Sequence, residues 1–174
     1  MNKPPLSNFS PGWSLIALGW VGMLGILYVF FDFVLDHQAR PNETLERNGG
    51  VGVPELLLEQ NRSGHYRASG TINGQPVVFL LDTGATLVSV SAHQGPALGL
   101  IPGIHGTAHT ANGEVAIHLT TIESLTLGPF HLRGIRAALN PGMKGDEVLL
   151  GMSVLKHLEF TQRGKTLVLR PHSP

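Results

Sequence analysis

One acid closes an otherwise apolar run: Phe79-Leu80-Leu81-Asp82-Thr83-Gly84-Ala85. A carboxylate held rigidly where a strand ends, open on one side, can act as a general acid or base. The residues after it suit that work. Gly84 lets backbone groups approach closely or take positive φ. The Thr83 hydroxyl can hydrogen-bond locally and brace the turn, and Ala85 leaves space beside the acid. The same residues also fit a plainer reading, an Asx-turn in which the aspartate only ties down a loop. The other aspartates are Asp32, Asp36 and Asp146, and no second Asp-Thr-Gly or Asp-Ser-Gly occurs.

Other chemistries find less support. The chain has no cysteine, which removes thiolate nucleophiles, thiolate metal sites and disulfides. Of nine histidines, His105 and His109 are four apart, with His93 and His118 nearby. The intervening Gly106-Thr107-Ala108 is not helical, so that spacing does not put both on one helix face, and no His-Glu-x-x-His occurs. These histidines read as solvated loop residues; no metal and no cofactor is expected. Glu114 reads as a surface charge. No Gly-x-Ser-x-Gly is present, which disfavours a serine hydrolase. Net charge is zero and charged residues make up 14%, so no basic face for nucleic acid is expected.

The elements that must position Asp82 are mostly strands. Asn73-Gly74 is a strong hairpin signal, because a type I′ turn needs positive φ at both central residues. It pairs His65–Ile72 with Gln75–Leu81, and the apolar second strand is expected to be buried on both faces. Thr86–Ala92 is β-branched and reads as a strand, followed by a turn with one helical turn. Asn112-Gly113 marks a second hairpin within Thr107–Thr120. Two further strands break at Gly128-Pro129. Asp146–Phe160 begins as a strand and turns helical after Gly151, with Met152, Leu155 and Leu158 as an apolar stripe. Thr166–Pro171 is a last strand. Ahead of these lies Trp13–Leu35, 23 residues whose single charge is Asp32. About 20 such residues span a hydrocarbon core. Residues 1–12 are thus a short tail, 13–35 a transmembrane helix, 36–62 a polar linker holding Pro54–Gln60 as a short helix or strand, and 63–174 one all-β domain.

The segment Phe79–Thr86, with Leu149-Leu150-Gly151 and its following helix about 70 residues on, resembles retropepsin-like aspartic proteases. Thr110-Ala111-Asn112-Gly113 lies between them, where that family has its flap hairpin. With the N-terminal apolar segment, the chain resembles the bacterial membrane-anchored branch. The resemblance covers roughly residues 63–174. It implies a half-pepsin barrel with one short C-terminal helix. It also implies Asp82, Thr83 and Gly84 in catalysis, Ala85 and Thr110–Gly113 against substrate, and Leu149, Leu150 and Gly151 supporting the catalytic loop. Viral relatives carry an acid and an arginine where this chain has Thr86 and Met152. Both partners of that ion pair are missing together, so no charge is stranded, and an apolar contact can replace the pair.

Two close carboxylates share a proton, one activating water and the other polarising the scissile carbonyl. One Asp-Thr-Gly per chain therefore implies a symmetric homodimer. The substrate is expected to be an extended polypeptide, in pockets lined by residues such as Val88 and Ile117. The expected setting is a bacterial inner membrane, single-pass, with the domain in the periplasm. A catalytically silent peptide-binding domain of the same fold is the alternative.

Overall fold

Asn73 and Gly74 take φ of +50° and +80°, the conformation a two-residue type I′ turn demands. They join β3 (Arg67–Ile72) to β4 (Gln75–Leu81), with Ile72 opposite Gln75. The Asn73 side chain fastens this turn to the rest of the domain: its amide donates to the Leu98 carbonyl at 2.9 Å and its Oδ1 accepts from the Ser124 N–H at 3.1 Å. The structure is a computed structural model that describes residues 11–39, 46–47, 54–110 and 113–172. It divides into two units, residues 1–39 and 40–174.

The first unit is α1 (Pro11–Ala39), a helix of 29 residues. Its described side chains run from Ile16 to Asp32 and are exposed all round. Among the described residues, no helix is long and apolar enough to cross a membrane. The transmembrane helix expected at 13–35 is therefore found as a helix and not supported as a span. Most of the expected tail, residues 1–10, lies outside the described residues.

Among its described residues the second unit holds eleven strands. The remaining ones are β1 (Glu46–Arg47), β2 (Glu55–Glu59), β5 (Val88–Ser91), β6 (His105–Thr110), β7 (Gly113–Leu127), β8 (Phe130–Asn140), β9 (Glu147–Leu150), β10 (Leu158–Arg163) and β11 (Thr166–Pro171). A 3-10 turn, Ala92–Gln94, follows β5, and α2 (Met152–Leu155) follows β9. One sheet has the order β3-β4-β9-β5-β8-β7-β6, and β3 also pairs with β7, which curls the sheet back on itself. The other runs β1-β2-β11-β10. The all-β expectation holds, and the strand ends at Leu81, Leu127 and Pro171 fall where the turn residues put them.

Three readings change. The stretch expected as linker, 36–62, contains β1 and β2. Leu56 and Leu58 are 4% and 0% exposed and pack in the core, with β2 antiparallel to β11. The folded unit therefore begins well before residue 63. The helix after Gly151 is also shorter than the apolar stripe suggests, because Leu158 already belongs to β10. β4 buries Val77 and Phe79 but leaves Val78, Leu80 and Leu81 half-buried, so only one of its faces is sealed.

Parallel pairing is what builds the candidate site. β4 and β9 run side by side in the same direction, from Val78 opposite Glu147 to Leu81 opposite Leu150. Both strands therefore leave the sheet at the same end, and Asp82 and Gly151 emerge as neighbours.

Candidate active site

The backbone of Asp82 is still tied to the sheet, its N–H donating to the Leu150 carbonyl at 3.2 Å. The side chain then folds over the turn. Oδ1 accepts from the Gly84 N–H at 2.9 Å, and the Asp82 carbonyl accepts from the Ala85 N–H at 3.2 Å. This is an Asx-turn, so the plainer reading of the motif is present in the geometry. It uses one carboxylate oxygen. Among the described residues Oδ2 has no hydrogen-bond partner. Asp82 and Ala85 are half-buried, while Thr83 and Gly84 are exposed. The acid is held in orientation from below and open from above.

What holds the turn from below is Gly151. A Cβ there would lie 2.3 Å from the Leu87 carbonyl oxygen and 2.6 Å from that of Ala85. Its φ is −87°, so the glycine is required for space and not for an unusual dihedral. Past it, the first turn of α2 donates back into the loop. Met152 N–H reaches the Ala85 carbonyl at 2.8 Å, and Ser153 N–H reaches that of Thr86 at 2.9 Å. The Ser153 hydroxyl accepts from the Val88 N–H at 3.0 Å. Thr86 and Met152, where an ion pair stands in viral relatives, are thus each fastened by a backbone hydrogen bond, Thr86 to Ser153 and Met152 to Ala85, and not to one another. The apolar contact expected in place of that pair is not what fastens the loop. Ser153 was not singled out by sequence; a hydroxyl in the first turn after an apolar-apolar-Gly is the signal that could have found it.

The structure brings Asp82–Ala85 together with Leu149, Leu150 and Gly151. Leu149 is half-buried between Leu80 and Ser89, and Leu150 is fully buried beside Leu81. The second hairpin forms from β6 and β7, with Thr110 opposite Gly113 and the Thr110 hydroxyl donating to the Gly113 carbonyl at 2.8 Å. Gly113 has φ +107° and, like Thr110, is exposed. Ala111 and Asn112 lie outside the described residues.

Val88 and Ile117 do not line a pocket. They are 0% and 5% exposed, because strand parity turns both side chains into the interior. The histidines also sit otherwise than expected. His105 and His118 are cross-strand partners on β6 and β7, with ring centroids 4.2 Å apart. His109 faces Glu114, Nδ1 to Oε1, at 3.3 Å. Among the described residues no group of three or more ligating side chains gathers.

Residues 68–157 match the model of the family described as gag-polyprotein putative aspartyl protease. An uncharacterised protein encoded 5′ of cobV in Sinorhizobium is 32% identical over 114 residues, covering 64% of this chain and 49% of that protein. The uncharacterised protein RP867 of Rickettsia prowazekii is 26% identical over 120 residues, covering 67% of this chain and 51% of that protein. The chain therefore spans about half the length of the curated relatives it matches. Among solved structures, a retropepsin-like aspartic protease from Rickettsia conorii superposes with a TM-score of 0.59 at 28% identity, over 69% of this chain and 92% of that one.

Proposed function

The chain belongs to the gag-polyprotein aspartyl protease family, a retropepsin-like group, and on that footing we propose that it is an aspartic endopeptidase that cuts extended polypeptide as a homodimer. The observation that carries this reading is the state of Asp82. One oxygen is fixed by the Gly84 N–H, the other is open, and Thr83 and Gly84 stand exposed beside it. A carboxylate serving only as a turn lock has no need of an open side.

A single carboxylate cannot both activate water and protonate the scissile group. A two-fold axis passing beside exposed Thr83 and Gly84 brings a second Asp82 to the first. The pair then holds one proton between them, because two adjacent carboxylates resist double ionisation. The ionised member takes a proton from water as that water attacks the carbonyl carbon. The protonated member donates to the carbonyl oxygen, and the proton accepted from water later passes to the leaving nitrogen. Thr83 braces the opposite loop, Ala85 leaves room for the chain being cut, and the hairpin at Thr110–Gly113 closes over it and excludes water. Dimer dependence gives the test. Cleavage of a peptide library at mildly acidic pH should rise with the square of protein concentration below the dimer dissociation constant. Strict proportionality down to a concentration where sedimentation shows only monomer would sink the two-chain mechanism.

We propose further that the apolar segment 13–35 anchors the protein in a bacterial inner membrane, with the second unit on the periplasmic side. Support comes from the 23-residue run with its single charge and from the all-round exposure of Ile16–Asp32. Confinement to a membrane also raises the effective concentration of the two half-sites. The chain is expected to stay with membranes under alkaline carbonate and to leave only with detergent; its release by carbonate alone rules out the anchor.

A further inference from the structure

The loop that carries β8 into β9, residues 141–146, is fastened to the end of β5 by side chains that the site above does not use. Ser91, the last residue of β5, is 1% exposed, and its hydroxyl donates to the Met143 carbonyl. The same oxygen lies 2.6 Å from Nδ1 of His93. Nε2 of His93 lies 3.0 Å from Oδ1 of Asp146, and the Gln94 side-chain amide donates to the Asp146 carbonyl at 2.9 Å.

The hydrogens of the neighbouring groups assign the charge of the ring. A serine hydroxyl has one hydrogen, and here it goes to a carbonyl, which can only accept. Toward His93 the serine oxygen therefore accepts, and Nδ1 donates. An ionised carboxylate also only accepts, so Nε2 donates to Asp146. With all three contacts taken as hydrogen bonds, both ring nitrogens carry hydrogen, which assigns the ring as an imidazolium. The buried Ser91 is a fixed acceptor and not a nucleophile.

The place of this contact gives it a consequence. β9 lies between β4 and β5, yet β5 and β9 share a single paired position, Ser89 opposite Leu149. At one end of β9, Leu150 accepts from the Asp82 N–H and Gly151 abuts the Ala85 and Leu87 carbonyls. At the other end β9 begins at Glu147, directly after Asp146. We propose that His93, as an imidazolium, is a positioning residue that latches the 141–146 loop to β5, holds β9 in register and makes the order of the Asp82 loop depend on pH. Its service to catalysis rests on the protease reading; the latch itself does not.

At this end of the packed elements the other charged groups are Lys144, in the loop, and Glu147, which is engaged by Arg67; Arg133 and Arg136 of β8 lie further along that strand. β5 and β8 end here in Ser91 and Asn140, both uncharged. The latch needs a hydrogen on each ring nitrogen, so a proton removed by rising pH leaves it one donor short.

The test is amide hydrogen exchange in the full chain at about pH 5.5 and about pH 8. Protection of Asp82, Met152 and Ser153 is corrected for intrinsic rates, and a ¹⁵N spectrum of His93 is recorded alongside. Protection in the wild type should fall about fivefold at the higher pH, the ratio an exposed charge pair supplies. His93→Gln, which cannot titrate, should show one level at both, and His93 should carry both protons at the lower pH. Equal wild-type protection at both, an equal fall in the variant, or a neutral ring at the lower pH overturns the latch. Peptide cleavage is read on the same samples. An inactive chain with pH-dependent protection removes the protease reading and leaves the latch; an active chain with flat protection removes only the latch.

Discussion

Asp82→Asn is expected to lower peptide cleavage by about 10³-fold or more, the loss of a general acid–base group, while leaving the fold intact. The substitution is unusually clean here. Asparagine keeps an oxygen at the position that accepts from the Gly84 N–H, and the backbone bond from residue 82 to the Leu150 carbonyl does not involve the side chain. Stability should therefore shift by no more than about 0.5 kcal/mol, as at an ordinary surface position. What is lost is the ability to take and return a proton. Rates on a peptide library and thermal melting of the same sample check both halves. The experiment also separates the protease from a silent peptide binder of the same fold, because a binder holds its peptide equally well with asparagine at 82. Cleavage surviving in the variant would remove Asp82 from the chemistry.

Much of this site could be read from the sequence, because the motif is local. Asn73-Gly74 names its own turn, the apolar run ends in the acid at Leu81, and Leu149-Leu150-Gly151 marks a second strand end. What could not be read depends on partners far along the chain. Glu55–Glu59 carries three leucines and no turn signal of its own. Its identity as a strand comes from pairing with Thr166–Leu169, more than a hundred residues away. Val88 and Ile117 were placed at a pocket because strand parity is invisible without register, and a slip of one residue exchanges the two faces. Register also hid the histidine pairs. His105 and His109 attract notice by their spacing, yet each faces a residue on the other strand, His118 and Glu114. The bonds from Met152 and Ser153 to Ala85 and Thr86 are illegible for a related reason: backbone hydrogen bonds leave no trace in side-chain chemistry.

Gly151→Ala should be the most damaging small substitution in the second unit. The added methyl would meet two carbonyl oxygens at 2.3 and 2.6 Å, both closer than a real Cβ tolerates, and both belong to backbone that cannot rotate away. Relief requires α2 to move off the loop or the loop to move off α2. The first breaks the Met152 and Ser153 N–H bonds to Ala85 and Thr86; the second displaces the turn that orients Asp82. Either way the loss should be about 3 kcal/mol, the upper end for overpacking a closed site, with cleavage falling together with the melting temperature. Gly145→Ala is the matched control, since a Cβ there meets nothing within 4 Å, and it should change stability little. If Gly151→Ala melted like that control and still cut peptide, the glycine would not be the floor of the catalytic loop. The parallel exit of β4 and β9 would then need another explanation for how it fixes the acid.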